Sequence, residues 1–284
     1  MCRLLAWASD EACRPGEVLT ADELRSLAGL ARFHADGWGM TGLGGERVWR
    51  STAPAADDAE FSRAMSELKS RAGLLHLRRA TPGYAVAPEN THPFILDGWA
   101  FAHNGTISDD ERLEGLLAPR WRQRRRGTTD SERYFLAFLE RLERSADPLA
   151  ALNETVASIR EACGANGLNA VLCSETHLIA VQAAAGSKPD RASLIALMGA
   201  EVADPSTGIA AEHLEDYFGL RYQRRAGRLV VASTGIGGPR WEALLEDSLL
   251  VADLAQGTIA CYALGEDEPQ WRTVLGSVEH PSVP

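Results

Sequence analysis

The sequence predicts an α+β fold in which strands and amphipathic helices follow one another along the chain. Short apolar runs of strand length recur from residue 3 to about residue 264. Between them lie segments with apolar residues at helical spacing, and the pairs Thr20–Glu23 and Thr129–Glu132 form capping boxes that open two helices. Neither a repeat nor a linker divides the chain, so we expect one domain over residues 1–284.

Composition and charge favour a globular protein that acts on a small molecule. The chain has 284 residues, of which 45% are hydrophobic and 24% charged, which is ordinary for a globular protein. Its formal net charge of −10 opposes binding to nucleic acids and to anionic membranes. Neither a signal peptide nor a transmembrane segment is recognisable, so we expect a cytoplasmic location and neither nucleic-acid nor membrane partners.

The cysteines indicate neither a disulfide framework nor a metal site. They are odd in number, widely spaced and without a CxxC pair: Cys2, Cys13, Cys163, Cys173 and Cys261. We expect no metal and no cofactor.

Only Cys2 has an unusual position, because it directly follows the start methionine. If Met1 is removed, Cys2 carries a free α-amine beside its thiol and can act as nucleophile and base at once. The alternative is a frayed terminus with an incidental cysteine.

The first part of the chain is predicted to contain two strands and two helices. Residues 3–8 form a short apolar strand, and a helix with one apolar face follows Thr20. The glycine-rich stretch 34–45 is predicted to be a strand with close backbone approaches, because no helix opens behind it as a phosphate loop requires. Residues 57–71 form the second helix, with an apolar stripe facing the core.

A third strand ends at a position where side chains can reach a pocket. The apolar run 74–77 is predicted to be buried, and the turn at Pro82 ends it, so Arg78 and Thr81 lie at the strand exit. An arginine there suits a carboxylate ligand. The alternative is a surface arginine at a strand end.

The strand over 99–107 halts at Asn104 and Gly105. Alternation places His103 on the same face as the aromatic residues before it. By local rules the Asn-Gly step is a hairpin turn. It is also a way to aim one side-chain amide and one backbone N–H at a single point, as stabilisation of an oxyanion requires.

An arginine-rich segment and a capped helix come next. Residues 120–127 are predicted to be a solvated loop, or alternatively a site for an anion or a protein partner. The helix over 128–142 places Asp130 in its first turn, where the carboxylate either stabilises the helix start or binds an ammonium group.

The second half of the chain supplies the remaining strands of the sheets. A helix follows Pro148, and residues 186–227 are interpreted as an insertion with one helix near 212–218. The tail over 266–284 is expected to be loosely held. The predicted strands are 168–173, 177–184, 228–234, 249–253 and 258–264, with a short helix over 239–247.

Taken together and in order, six features resemble the class II glutamine amidotransferase family. They are most similar to a stand-alone branch that includes γ-glutamyl hydrolases. The features are Cys2 after the start methionine, DGWG at 36–39, HLRRATPG at 76–83, THPF at 91–94, HNG at 103–105 and TDSE at 129–132.

The resemblance implies an N-terminal nucleophile hydrolase fold, a four-layer αββα sandwich with its core at about residues 2–265. It also implies catalytic and substrate-binding residues. The implied catalytic residues are Cys2 as nucleophile with Asn104 and Gly105 as the oxyanion hole, and the substrate-binding residues are Arg78 for the α-carboxylate, Asp130 for the α-ammonium, Thr81 and His103. His103 is expected to orient the turn rather than act as a base.

The implied reaction is hydrolysis of a γ-glutamyl amide through a cysteinyl thioester. The stretch 230–238 departs from the family pattern, which leaves the leaving group open, and no synthase domain is expected within the chain. The alternatives are a glutaminase subunit that supplies ammonia to a separate synthase or ligase, and a non-catalytic γ-glutamyl-binding protein. A papain-like Cys-His hydrolase is disfavoured, because His103 and Asn104 adjoin in one turn.

Overall fold

The computed structural model describes residues 2–45, 47–164, 167–184 and 186–275. Within these ranges the strands are β1 (Arg3–Cys13), β2 (Trp38–Gly42), β3 (Val48–Ser51), β4 (Ser70–Leu77), β5 (Phe94–Leu96), β6 (Trp99–Gly105), β7 (Leu168–Cys173), β8 (His177–Gln182), β9 (Leu220–Arg225), β10 (Arg228–Ser233), β11 (Glu242–Ala243), β12 (Ser248–Asp253), β13 (Thr258–Ala263) and β14 (Pro269–Val274). The helices are α1 (Ala21–Phe33), α2 (Ala59–Glu67), α3 (Asp110–Gly115), α4 (Pro119–Arg122), α5 (Asp130–Ser145), α6 (Pro148–Cys163), α7 (Arg191–Met198) and α8 (Glu212–Glu215).

The strands form two antiparallel sheets of seven strands each. The first sheet has the order β11-β9-β10-β1-β4-β2-β3, so β1 and β4 lie at its centre. The second sheet has the order β14-β13-β12-β8-β7-β6-β5 and places β6 next to the edge strand β5. The two sheets pack face to face. Strand β1, which follows Cys2, belongs to the first sheet, and β6, which carries the HNG motif, belongs to the second.

Alanines of β1 and β6 lie in the layer between the sheets. Ala6 and Ala8 of β1 share one buried cluster with Ala100 and Ala102 of β6. Alternate residues of a strand point to opposite faces, so the neighbours of these alanines face the helices instead. Trp7 accordingly packs into the cluster that includes α1 residues.

The helices cover the outer faces of both sheets. The cluster on the first sheet includes α1 and α2 residues, and the cluster on the second includes α5 and α6 residues. The result is the four-layer αββα sandwich that the sequence predicts, and the fold class is confirmed.

Several local predictions also agree with the structure. Thr20 accepts a hydrogen bond from the Glu23 N–H at 3.3 Å and completes a capping box at α1. The predicted close approach in 34–45 occurs at Gly39, where a Cβ would lie 2.2 Å from the His92 carbonyl oxygen. Residues 168–173 and 177–182 form the predicted hairpin.

Three predictions in the first half of the chain are wrong. Helix α2 ends at Glu67, because Leu68 is extended and Ser70 already begins β4. The strand does not turn at Asn104 and Gly105, which remain paired with β7. The arginine-rich loop starts as α4, and three of its arginines form ion pairs with acidic neighbours: Arg120 with Glu143, Arg124 with Asp97 and Arg125 with Glu114.

The second half requires further corrections. The segment 186–227 ends in β9, a strand that was not predicted and that pairs with β10, and its interpretation as an insertion stays a prediction. The predicted helix at 212–218 is limited to α8, and the predicted helix at 239–247 is replaced by β11, a short edge strand. The tail is not loose over β14, which pairs with β13, and residues 276–284 lie outside the described ranges.

The close packing of β4 against β1 and β2 can be tested at Gly73. A Cβ there would lie 2.5 Å from both the Thr41 carbonyl oxygen and the Trp7 ring. We expect Gly73→Ala to lower the free energy of unfolding by about 1–3 kcal/mol, because the added methyl overpacks the site. Denaturant unfolding monitored by circular dichroism measures this change.

Gly115 provides the matched control, since it lies in α3 and a Cβ there meets no atom within 4 Å. Gly115→Ala should leave stability unchanged or raise it slightly. Equal stability of both variants would contradict the packing argument.

Candidate active site

Strand register brings Cys2 and Asn104 to the same space between the sheets. Leu4 lies opposite His76 in the ladder of β1 and β4, and Cys2, two residues before Leu4, shares its face. In β6, Asn104 shares the face of Ala100 and Ala102, which line the inter-sheet layer. The two residues therefore approach each other from opposite sheets.

Cys2 and Asn104 are joined by a hydrogen bond. The backbone nitrogen of Cys2 donates to Asn104 Oδ1 at 2.8 Å, and this fixes the orientation of the side-chain amide, because Nδ2 has no lone pair to accept it. The Cys2 thiol donates to the Arg79 carbonyl oxygen at 3.5 Å. The nucleophile candidate is thus held at its nitrogen and at its sulfur.

Asn104 keeps one donor unused beside the thiol. Its side chain is fully buried, and Nδ2 has no hydrogen-bond partner among the described residues. An unsatisfied buried donor costs about 1–3 kcal/mol, so such a group indicates a ligand position. The amide is suited to bind a carbonyl oxygen that becomes negatively charged during a reaction.

Gly105 packs closely against the backbone of Gly167, which leaves no space for a side chain at position 105. A Cβ on Gly105 would lie 2.0 Å from the Gly167 carbonyl oxygen. Any side chain would force β6 away from the chain at Gly167. Gly105 therefore keeps the strand end next to Asn104 in place.

His76 is a site residue that the sequence analysis missed. It is fully buried, and its ring centroid lies 4.3 Å from that of His92. Burial is the largest single influence on the Cys2 thiol and raises its pKa, but the nearby charges of His76 and of the chain's amino group, together with hydrogen bonds to the sulfur, outweigh burial and lower the pKa to about 6. The available signal was a histidine within the predicted buried strand 74–77, whereas its position beside Cys2 depends on the register of β4 with β1.

Arg78 lies at the exit of β4, as predicted, but its guanidinium already has backbone partners. Nη1 donates to the Asp36 carbonyl oxygen at 3.4 Å and Nη2 to the Ala85 carbonyl oxygen at 3.1 Å. Burial lowers the pKa of Arg78, while the nearby charges of Cys2 and Asp36 raise it. Thr81 is half-buried in the following loop.

Asp130 ties the start of α5 to the chain that leaves β6. Its Oδ2 accepts the Ile107 N–H at 2.8 Å, and its Oδ1 accepts the Ser131 N–H at 2.7 Å. The side chain is buried. These contacts match the stabilising role at the helix start, and binding of an ammonium group by the same carboxylate stays a prediction.

His103 faces the helical layer rather than the space that holds Cys2. Its Nδ1 lies 2.9 Å from Ser131 Oγ and its Nε2 lies 3.2 Å from the Gly167 carbonyl oxygen. Burial lowers the pKa of His103, so the ring is neutral near pH 7. The structure does not bring it into contact with Cys2, and its contacts orient the end of β6. Its place among the substrate-binding residues stays a prediction.

Two further searches concern metals and membranes. Within the described ranges, no group of three or more His, Cys, Asp or Glu side chains is arranged to hold a metal ion. None of the helices found there is both long and apolar enough to cross a bilayer.

Comparison of the sequence with known families and proteins gives two matches. The profile of the glutamine amidotransferases class-II matches residues 1–195. A curated relative, the gamma-glutamyl-hercynylcysteine sulfoxide hydrolase of Mycolicibacterium smegmatis, is 33% identical over 117 residues, which cover 38% of this chain and 52% of the relative. The match thus spans about half the length of that relative.

Solved structures share the fold. A glutamine aminotransferase class-II domain protein from Silicibacter pomeroyi superimposes with a TM-score of 0.60 at 20% identity, covering 93% of this chain and 100% of the other. The glutamine phosphoribosylpyrophosphate amidotransferase of B. subtilis gives a TM-score of 0.58 at 14% identity, covering 94% of this chain and 50% of the other.

The lowered pKa of Cys2 predicts an unusual pH dependence of its reactivity. Because the thiolate is the reacting form, alkylation of Cys2 by iodoacetamide should rise with pH through a midpoint near 6. In His76→Phe the neighbouring imidazole is absent, so the midpoint should move to higher pH. Peptide mass spectrometry after timed alkylation measures both rates.

Cys173 serves as an internal control in the same samples. Its burial raises the pKa of the thiol to about 12, so it should stay unmodified while the protein is folded. An unchanged midpoint in a folded His76→Phe variant would remove His76 as the cause.

Proposed function

Because the chain belongs to the class II glutamine amidotransferases, we propose that it hydrolyses a γ-glutamyl amide with Cys2 as its nucleophile. The products are glutamate and an amine or ammonia, and one domain over residues 1–284 carries the reaction. The observation that supports this best is the contact of Cys2 with Asn104, because it sets an unused amide donor beside a thiol whose pKa is low.

The reaction begins with attack of the Cys2 thiolate on the γ-carbonyl carbon. The carbonyl oxygen becomes an oxyanion that Asn104 Nδ2 and the Gly105 N–H stabilise. When this intermediate collapses, the C–N bond breaks and the amine leaves with a proton, which the α-amine of processed Cys2 delivers. Water then attacks the thioester, and glutamate leaves as the thiol is restored.

The γ-glutamyl group is recognised by its two charged groups. Arg78 is buried at the exit of β4 and supplies the positive charge for the α-carboxylate. Asp130 supplies the negative charge for the α-ammonium. Thr81 lies in the loop that directly follows β4 and Arg78. Opposite charges that are partly shielded from water give this recognition its strength.

The leaving group is the larger part of a γ-glutamyl conjugate. The Mycolicibacterium smegmatis relative is named as a hydrolase of such a conjugate, and this favours a substituted amide over glutamine. Incubation with glutamine and with a series of γ-glutamyl amides compares the two. Faster release of ammonia from glutamine than of amine from every conjugate would favour the alternative, a subunit that supplies ammonia to a synthase.

Two replacements of Asn104 separate its proposed roles. Asn104→Ala removes both the acceptor for Cys2 and the oxyanion donor, and Asn104→Asp keeps an acceptor but removes the donor. We expect both variants to lose about 100- to 1,000-fold in kcat, because one oxyanion donor has this effect. Steady-state kinetics on a γ-glutamyl amide gives the values.

Alkylation of Cys2 distinguishes the variants further. In Asn104→Asp the Cys2 nitrogen keeps its acceptor, but the added negative charge raises the pKa of the thiol, so alkylation should persist with its midpoint at higher pH while turnover is lost. Turnover at the wild-type rate in Asn104→Ala would rule out the oxyanion role.

The proposed nucleophile and base require removal of Met1, a residue outside the described ranges. Intact-mass measurement of active protein should show loss of the methionine, and rapid acid quenching during turnover should reveal the mass of a glutamyl thioester. Cys2→Ala should give neither turnover nor the adduct. Active protein that retains Met1 would disprove the use of the Cys2 α-amine.

A further inference from the structure

Arg3 is a buried cation directly beside the candidate nucleophile. It is 2% exposed and begins β1, whereas Cys2 precedes the ladder and has no strand partner of its own. Alternation places the Arg3 side chain on the helix-facing side of the first sheet, opposite to the side of the Cys2 thiol. The two residues therefore meet through the backbone.

Three backbone carbonyls surround the Arg3 guanidinium. Nε donates to the Cys2 carbonyl oxygen at 2.5 Å, and Nη1 donates to the carbonyl oxygens of Tyr217 at 3.0 Å and Thr234 at 3.1 Å. The guanidinium carbon also lies 3.9 Å from the centroid of the Tyr217 ring. The planar fork of arginine reaches all three acceptors, which a lysine ammonium on its flexible stem does not.

The groups that hold Arg3 are themselves fixed. The Tyr217 hydroxyl lies 3.2 Å from His34 Nε2, and His34 Nδ1 lies 2.8 Å from the Leu30 carbonyl oxygen at the end of α1. Thr234 Oγ1 donates to the Asp216 carbonyl oxygen at 2.7 Å. The arginine is thus anchored to α1 and to the chain on either side of β9 and β10.

Tyr217 and Thr234 come from parts of the chain without an assigned role. The family profile matches residues 1–195, so both lie beyond it. Tyr217 also falls in 186–227, which is interpreted as an insertion, and Thr234 falls in 230–238, which departs from the family pattern. Both segments therefore contact Arg3, the residue that follows the candidate nucleophile.

We propose that Arg3 is a positioning residue that fixes the Cys2 peptide unit against the carbonyls of Tyr217 and Thr234. The Cys2 oxygen is held by Arg3, its nitrogen by Asn104 and its sulfur by the Arg79 carbonyl. These three hydrogen bonds orient Cys2, which has no partner of its own in the ladder between β1 and β4. The effect on turnover rests on the proposed function, whereas the effect on thiol reactivity does not.

Arg3→Lys tests this role because it keeps the positive charge and loses the fork. We expect kcat to fall about 10- to 100-fold with little change in KM, since a displacement of 1 Å has an effect of this size. Alkylation of Cys2 at pH 7 should slow, and its midpoint should move to higher pH, because the thiol leaves the field of His76.

Arg141→Lys is the matched control for general destabilisation. Arg141 is 6% exposed and also donates to a backbone carbonyl, that of Ala137, but it lies on α5. Its replacement should lower the melting temperature to a similar extent and leave Cys2 alkylation unchanged. If Arg3→Lys retains the wild-type alkylation rate and midpoint, or if Arg141→Lys alters them equally, the positioning role is refuted.

Tyr217 provides a second pair of variants if Arg3→Lys does not fold. Tyr217→Phe keeps the ring and the backbone carbonyl and should retain Cys2 reactivity. Tyr217→Ala removes the ring beneath the guanidinium and should slow alkylation, and equal rates in both would contradict the proposal. If wild-type protein hydrolyses no γ-glutamyl amide, the proposed function fails, while the alkylation rates still decide the role of Arg3.

Discussion

The hydrogen bond from the Cys2 nitrogen to Asn104 Oδ1 joins the two sheets at the point where the chemistry is proposed. Cys2 enters the first sheet and Asn104 ends a strand of the second, so neither sheet contains the site alone. The site is therefore a property of the sandwich, and a displacement of either sheet would separate the thiol from the amide.

Alanines of β1 and β6 make this approach possible. Ala6, Ala8, Ala100 and Ala102 are all fully buried between the sheets, and larger side chains at these four positions would hold β1 and β6 apart. Bulky residues such as Trp7 and Phe101 face the helices instead. The alternation of small and large residues along β1 and β6 thus serves the site as well as the core.

The protein interior around Cys2 contains charged and polar groups that are rare in a protein core. They are the Cys2 thiol, whose pKa is low, the buried imidazoles of His76 and His92, and the buried guanidiniums of Arg3 and Arg78, which donate to backbone carbonyls. Backbone carbonyls hold the guanidiniums in fixed positions. Burial keeps their electrostatic effects strong, because little water is present to screen them.

Sequence by itself determined the class of fold and indicated the candidate residues for the chemistry. The order of the motifs around Cys2, Arg78, Asn104 and Asp130 indicated the family, and the N-cap threonines and apolar runs located most strands and helices. The second predicted capping box is formed only in part, because the Glu132 carboxylate accepts from Arg126 and Gly127 instead of Thr129. These features are local, since periodicity and capping depend on neighbours within a few residues. Edge strands such as β3 and β11 escaped because they are short and carry weak patterns.

Only the tertiary structure decided which side chains meet. Whether Asn104 ends a hairpin or continues in a ladder depends on pairing with β7, which lies more than 60 residues further along the chain. The position of His76 on β4, from which it helps to lower the pKa of Cys2, also depends on the pairing of β4 with β1. Likewise, only the fold shows that His103 contacts Ser131 at the start of α5. Arg3 meets Tyr217 across 214 residues of sequence, and no local pattern records such a contact, because it arises from the packing of separate elements.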